Sequence, residues 1–148
     1  MERIWLKSYP AGVPAEIDVN AYASLIDVLD ESVRLYGERT AFICMGKGIS
    51  YTQLDHMSRD FATYLQGVLG LKKGDRVVLM MPNVLQYPVC LFGVLRAGCV
   101  VVNCNPLYTA TELEHQLKDA DAQTIVILEN FAHVLQEAVA RTPVKHIL

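Results

Sequence analysis

The sequence predicts a layered α/β protein with a largely parallel sheet, βαβ crossovers and one β-hairpin. Short apolar runs rich in β-branched residues alternate with segments of helical periodicity, a pattern typical of right-handed crossovers. The unbroken valine run at 100–102 predicts a strand covered on both faces. The segment before it, 84–95, is apolar on every side and predicts a helix buried on every side.

An irregular arm is expected at residues 1–19, because Pro10 and Pro14 prevent a regular helix or a central strand there. Trp5 and Leu6 would be unfavourable in water, so they should contact an apolar surface. They pack either on the chain's own core or, as a second hypothesis, on a second subunit or a membrane surface. Residues 20–148 are predicted to form the body.

Periodicity and turn residues predict the elements of the body in chain order. They are a helix at 24–36, hairpin strands at 40–45 and 49–51, a helix from 52 to 70, a strand at 77–81, a helix between 83 and 98, a strand at 100–102, a helix from 109, a strand at 123–128, a helix from 130 to 142 and a strand at 144–148. Glycines at 37, 70 and 98 are expected to end the first three helices.

Each helix is expected to begin at a residue whose side chain can accept a hydrogen bond from a free backbone N–H group. These residues are Ser24, Thr52, Asn83, Thr109 and Asn130. Thr109 and Glu112 also have the spacing of a capping box. Pro88 falls near a helix start, where a missing N–H group is least harmful.

The run GKGISY at 46–51 resembles a phosphate-binding loop only superficially. It lacks the third glycine of a dinucleotide fingerprint and the Lys-Ser/Thr pair of a P-loop, so it is interpreted as the hairpin. Lys72 and Lys73 could hold a phosphate, but a solvated turn with two lysines is far commoner.

Composition argues against several classes of protein. With 52% hydrophobic and 20% charged residues, the chain can bury a core and is not a disordered segment. The net charge of −3, without a basic stripe, argues against a nucleic-acid partner. The cysteines, at 44, 90, 99 and 104, have no C-x-x-C spacing, which favours reduced, buried thiols and a cytosolic setting.

Residues 84–104 have about the length of a membrane span. Pro88, Arg96 and Gly98 argue against that interpretation, so a buried helix followed by a buried strand is the better account. Residues 1–14 lack the apolar stretch of a secretory signal.

Ligands of open α/β sheets bind beyond the carboxyl ends of the strands. Here those ends are 81–83, 103–105 and 129–130, which offer amides, one thiol and one carboxylate but no glycine-rich phosphate loop. Glu112 and His115 have the Glu-x-x-His spacing of di-iron bundles, but no second such pair exists, so solvent exposure is the better interpretation. Without a G-x-S-x-G elbow either, the residues predict no catalytic, cofactor-binding or metal-binding side chain.

The predicted last strand stops without a turn or a closing helix. We therefore expect this chain to be a piece of a longer protein.

Two segments resemble core motifs of the adenylate-forming enzymes. ISYTQL at 49–54 is similar to the first motif, and LRAGCVVVNCNP at 95–106 is similar to the second. The flanking runs at 74–77, 81–83 and 105–109, with the spaced aromatic and proline residues of 5–17, resemble the bacterial long-chain fatty acid–CoA ligases. Each motif alone is weak evidence for the family, but the order of the motifs and their separation make the resemblance specific.

The resemblance implies the N-terminal part of an adenylate-forming large domain. The implied parent uses ATP and Mg²⁺ to convert a fatty carboxylate to an acyl-adenylate and pyrophosphate, and the thiol of CoA then displaces AMP. Both matched motifs are structural in that family. Its ATP loop and catalytic lysine would lie beyond residue 148, so this chain alone is expected to be inactive and to bind no cofactor.

The resemblance also implies partners and a location. The partners would be a long-chain fatty acid, ATP and CoA, with a homodimer through the N-terminal region as an option. The location would be cytoplasmic, with a peripheral contact to the inner face of the cytoplasmic membrane as an option. The alternatives are another acyl- or aryl-CoA ligase of the superfamily, a stand-alone α/β binding module, and a scaffolding role of the aromatic arm.

Overall fold

Five α-helices and six β-strands follow one another in residues 2–148, the part of the chain that the computed structural model describes; Met1 of the expected arm lies outside the described residues. The elements are α1 (Leu25–Tyr36), β1 (Thr40–Cys44), β2 (Lys47–Ser50), α2 (Tyr51–Gly67), β3 (Arg76–Met80), α3 (Gln86–Arg96), β4 (Val100–Asn103), α4 (Ala110–Asp119), β5 (Thr124–Ile127), α5 (Ala132–Ala138) and β6 (His146–Ile147). The predicted alternation of strands and helices is confirmed.

The main sheet has four parallel strands in the order β4-β3-β5-β6. The hairpin of β1 and β2 forms a separate antiparallel pair. Its turn residues Met45 and Gly46 both have positive φ, 50° and 76°, as a two-residue hairpin turn requires. The predicted α/β class, with a parallel sheet and a hairpin, is therefore confirmed.

Helices cover both faces of the main sheet because side chains alternate along each strand. Val77 and Leu79 of β3 pack under α2 and α3 with Leu65 and Val94. The alternate side chains of β3, at 78 and 80, pack under α4 and α5. The result is a three-layer arrangement with β3 at its centre.

The valines of β4 are less buried than expected. Val100 is 46% exposed, and Val101 and Val102 are half-buried. The expectation of a strand covered on both faces is wrong for β4, because β4 lies at the edge of the sheet. It holds for the neighbouring β3, whose residues 77–80 are at most 1% exposed.

Three of the predicted helix starts are wrong. Ser50, not Thr52, caps α2: its Oγ accepts from the Gln53 N–H group, and the Gln53 side chain accepts from the Ser50 N–H group. Helix α3 begins at Gln86 and α5 at Ala132, both without a side-chain cap. The segment at 129–131 is a turn of 3-10 helix, so Asn130 does not occupy the cap position.

Other helix ends agree with the sequence. Ser24 caps α1, and Thr109 and Glu112 form the predicted capping box of α4. Gly98 has a φ of 74° after α3, and the Cys99 N–H group donates to the Val94 carbonyl, which is a Schellman-type end. The predicted end of α2 at Gly70 is wrong by three residues, since that helix ends at Gly67.

The N-terminal arm does not join the core. Within the described residues 2–24, a short 3-10 helix spans Ile4–Ser8 and no side chain belongs to a core cluster. Trp5 is 49% exposed and Ile17 83% exposed. The interpretation that Trp5 packs on the chain's own core is therefore wrong.

None of the helices found between residues 2 and 148 is long and apolar enough to cross a membrane.

Candidate functional site

The carboxyl ends of β3, β4 and β5 meet at one edge of the sheet, because the three strands are parallel. Leu79 pairs with Asn103 across β3 and β4, and Met80 pairs with Ile127 across β3 and β5. The segments 81–83, 103–105 and 129–130 therefore follow neighbouring strands at this edge, as expected from the sequence.

Two asparagines at this edge, Asn103 and Asn105, bind the scaffold itself. The Tyr87 hydroxyl donates to Asn103 Oδ1 at 2.8 Å, and Gln116 Nε2 donates to the Asn103 carbonyl at 2.9 Å. Asn105 Oδ1 accepts from the Leu107 N–H group at 3.0 Å. Asn103 thus joins α3 and α4 to the end of β4, and Asn105 shapes the following turn.

Sequence reasoning missed Tyr87 and Gln116 as members of this edge. Both lie on helices, and their contacts depend on how those helices cross the strand ends. The Oε1 atom of Gln116 is buried and has no hydrogen-bond partner in the part of the chain that the structure describes. The amide therefore has unused acceptor capacity beside the edge.

An apolar groove of about 280 Å³ lies between the hairpin and the start of α3. Its lining residues are uncharged: Phe42, Ile43, Cys44, Asn83, Val84, Leu85, Tyr87 and Pro88. Such a surface can contact a hydrocarbon or an apolar part of a protein. Its polar groups are the Cys44 thiol, the Asn83 amide and the Tyr87 hydroxyl, and the hydroxyl already donates to Asn103.

Glu112 and His115 lie on an open groove along α4, together with Tyr108, Thr111, Gln116 and Asp119. The Thr109 N–H group and hydroxyl both donate to Glu112 Oε2 at 2.8 Å, and these bonds lower the pKa of Glu112. Its carboxylate is therefore occupied by the helix cap. Both Glu112 and His115 are exposed, in agreement with the sequence interpretation.

A metal site is not formed by the described chain. Between residues 2 and 148, no group of three or more His, Cys, Asp or Glu side chains is arranged to hold a metal ion. Lys72 and Lys73 lie in an exposed turn whose shape is held by Asp75 Oδ2, which accepts from the Lys72 N–H group at 2.7 Å.

The buried thiols are chemically inert. Burial raises the pKa of Cys90 and of Cys104 to about 11, and burial followed by the charge of Asp75 raises the pKa of Cys99. A protonated thiol is a poor nucleophile, so these residues serve packing. All four cysteines are free, and the prediction of buried thiols holds for these three, while Cys44 is half-buried.

A charged network lies at the carboxyl-terminal end of α3, whereas Tyr87 at the start of this helix contacts the sheet edge. Arg96 Nη2 pairs with Asp55 at 2.6 Å and with Asp30 at 2.8 Å, and its Nε donates to Ser58 Oγ at 3.2 Å. Hydrogen bonding to Asp55 raises the pKa of Arg59, which joins the same cluster. Sequence reasoning did not predict this network, although Arg96 is the one charged residue in the predicted helix between 83 and 98.

The arrangement observed at the sheet edge holds parts of the scaffold together. It joins strand ends to helices through uncharged amides and offers an apolar groove, and the observed contacts provide no nucleophile with a neighbouring base. The prediction that this chain supplies no catalytic, cofactor-binding or metal-binding residue stays a prediction.

Comparison with known proteins identifies what the chain resembles. The sequence model of a family described as AMP-binding enzyme matches residues 29–148. A long-chain-fatty-acid–CoA ligase of Yersinia pestis is 57% identical over 148 residues, which are 100% of this chain and 26% of that protein. This chain thus spans about a quarter of the length of that relative.

Solved structures agree in fold. A long-chain-fatty-acid–CoA ligase from Archaeoglobus fulgidus matches with a TM-score of 0.79 and 26% identity, covering 84% of this chain and 27% of that one. An anthranilate CoA ligase, solved with anthranoyl-AMP, matches with a TM-score of 0.81 over 85% of this chain and 24% of that one. Its 21% identity supports a likeness of fold alone.

Proposed function

Because the chain belongs to the AMP-binding enzyme family, we propose that it is the N-terminal portion of a long-chain fatty acid–CoA ligase. The observation that carries the proposal is the 57% identity to such a ligase along all 148 residues. The motifs at 49–54 and 95–106 lie within this match. In this proposal residues 1–19 are an N-terminal arm, and residues 20–148 are the first part of the large domain.

The whole protein would join a long-chain fatty acid to CoA at the expense of ATP. The carboxylate attacks the α-phosphate of ATP, which forms acyl-adenylate and releases pyrophosphate. The CoA thiol then attacks the acyl carbon and releases AMP. The mixed anhydride is needed because a free carboxylate is a poor acyl donor.

The described residues do not fit an Mg²⁺–ATP site. A phosphate site needs a backbone cradle or several cations, and Mg²⁺ needs carboxylate or other oxygen ligands. At this edge Asn103 and Asn105 already bind the scaffold, and Glu129 is the one carboxylate. We therefore place ATP, Mg²⁺ and CoA binding in the rest of the parent and assign no step to this chain.

The role of this chain in the parent would be to build and hold the sheet edge. Asn103 connects β4 to α3 and α4, and β3 is buried at the centre of the layers. Residues contributed by the rest of the parent would then meet a fixed edge rather than a mobile loop. Uncharged amides and inert thiols suit such a supporting role.

The arm would provide an apolar contact. Ile4, Ile17 and Val19 are 63%, 83% and 78% exposed, and Trp5 is 49% exposed. Side chains of this kind are unfavourable in water unless they are covered by protein or lipid. We therefore propose that the arm contacts a second copy or the inner face of the cytoplasmic membrane. A cytoplasmic location, which we also propose, is supported by the four free cysteines.

Activity of the natural full-length protein tests the main proposal. With ATP, CoA, Mg²⁺ and palmitate it should form palmitoyl-CoA, AMP and pyrophosphate in equal amounts, whereas residues 1–148 alone should show no turnover. Benzoate in place of palmitate serves as the matched control and should react far more slowly. Faster reaction of benzoate would contradict the substrate class, and turnover by residues 1–148 would contradict the supporting role.

A further inference from the structure

The arm and α1 form one N-terminal unit, residues 2–36. The side-chain hydrogen bonds of residues 2–24 stay within residues 2–31. They include the Arg3–Glu16 pair of the arm and the bond to Glu31 of α1 from the hydroxyl of Tyr22, which lies between the arm and α1. The backbone hydrogen bonds of the arm's turns are local as well. The segment between the arm and α1 is therefore bonded to α1, and none of these hydrogen bonds reaches the sheet.

The apolar contact between α1 and the rest of the protein is small. The buried residue of α1 is Leu29, which packs with Leu54 of α2 and Val89 of α3, and the half-buried Val33 packs against the same cluster. Other apolar side chains of α1 are open to solvent, with Leu25 62% and Leu35 50% exposed. Burial of one leucine and part of one valine is a modest anchor for a helix of this length.

Backbone bonds hold only the carboxyl-terminal end of the unit. The Gly37 carbonyl accepts from the Thr52 N–H group at 2.9 Å, and the Arg39 carbonyl accepts from the Tyr51 N–H group at 3.1 Å. These bonds tie the segment after α1 to the start of α2. Among the described residues, the rest of the unit has no backbone hydrogen bond to the body.

The remaining link is charged. Asp30 of α1 contacts Arg96 at 2.8 Å and lies 3.8 Å from Arg59. Arg96 is 8% exposed and is also paired with Asp55, whose side chain is 16% exposed, whereas Asp30 is 47% exposed. Arg96 and Asp55 therefore form an ion pair within the body, and Asp30 of α1 makes a second, more exposed ion pair with Arg96.

We propose that the Asp30–Arg96 pair is a latch that holds the N-terminal unit on α2 and α3, and that residues 2–36 release as a unit when it opens. Release of Asp30 leaves Arg96 paired with Asp55, so no buried charge is left alone. Opening uncovers the apolar surface of Leu54 and Val89. Because Asp30 is half-exposed, dissolved salt can screen its attraction to Arg96. The Arg96–Asp55 pair is largely buried and is screened much less.

Hydrogen exchange of the full-length protein, measured by mass spectrometry with Asp30→Asn, tests the latch. Amides of 25–36 should exchange about fivefold faster in the variant, while those of 76–80 and 86–96 keep their rates. In the wild type, raising NaCl from 0.05 to 1 M should accelerate the same amides, and in Asp30→Asn salt should have little further effect. Arg34→Gln is the control, because Arg34 pairs with Glu31 inside α1 and does not reach the body.

Two results would overturn the proposal. One is unchanged exchange in 25–36 for both Asp30→Asn and high salt. The other is an equal acceleration in 25–36, 76–80 and 86–96, since that pattern reports global unfolding. The salt series on the wild type keeps the test valid if the variant folds poorly.

Discussion

Gly93 shows how a single residue sets the distance between two helices. A Cβ atom at this position would lie 2.6 Å from Phe61 Cδ1, 3.0 Å from Phe61 Cβ and 3.1 Å from the Ser58 carbonyl oxygen. Two of these atoms belong to the fixed part of α2, so the helices would have to separate. Gly93 is therefore required by close packing and not by backbone conformation.

Gly93→Ala should destabilise the protein by about 1–3 kcal/mol, because overpacking forces a shift of α2 against α3. The measurement is urea unfolding followed by circular dichroism. Gly67→Ala is the matched control: a Cβ atom there meets nothing within 4 Å, so stability should be unchanged or slightly increased. Equal effects of the two substitutions would contradict the packing argument.

At the scale of one element, α2 shows how a cap is selected. Ser50 and Thr52 are both good N-cap residues by type. Ser50 ends β2 with an extended backbone, φ −80° and ψ 167°, which an N-cap requires. Thr52 already lies inside the helix, and its hydroxyl donates to Glu38 at 3.2 Å. The end of the hairpin therefore selects the cap.

Ser50→Ala should cost about 1 kcal/mol of folding stability, since it leaves the Gln53 N–H group without its partner. Thr52→Ala should cost less, because it removes one exposed side-chain bond. Thermal unfolding of both variants under one condition compares them directly. A larger loss for Thr52→Ala would mean that the helix begins two residues later than the structure places it.

Helix α4 is held to the end of α5 by one carboxylate. Glu114 accepts from Lys118 and from Arg141, each at 2.6 Å, and these bonds lower the pKa of Glu114. Lys118 lies one turn away on α4, whereas Arg141 follows α5. The bond from Arg141 therefore links α4 to the end of α5, and the bond from Lys118 holds the Glu114 carboxylate in place within α4.

At the scale of the whole molecule, exposed apolar surface is unevenly distributed. The layers around β3 are closed, whereas the arm exposes most of its large apolar side chains. Such a distribution is expected where another surface covers the arm. This surface is the basis for the proposed contact with a second copy or with lipid.

Deleting residues 2–19 from the full-length protein should weaken that contact. If the arm mediates self-association, the mass from light scattering should fall; if it binds lipid, flotation with anionic phospholipid vesicles should decrease. Lys7→Gln is the control, because it alters the charge of the arm and keeps its apolar side chains. Unchanged mass and unchanged flotation after the deletion would contradict both forms of the proposal.

The sequence by itself determined the α/β class, the hairpin, the capping box of α4 and the family resemblance. These features depend on local patterns: alternation along strands, helical periodicity, and turn residues at fixed offsets. The motif at 95–106 is local in the same sense, because Ala97 and Gly98 serve the end of α3 and the start of β4. Local chemistry is enough for such features.

Only the tertiary structure decided the rest. Valines that suit a covered strand lie at a sheet edge because strand order is not encoded in any one segment. Asn103 meets Tyr87 and Gln116, and Arg96 meets Asp30 and Asp55, across separations of 13 to 66 residues. Contacts of this kind depend on how whole helices pack. That packing is stabilised by burial of the entire core, and no single segment of the sequence determines it.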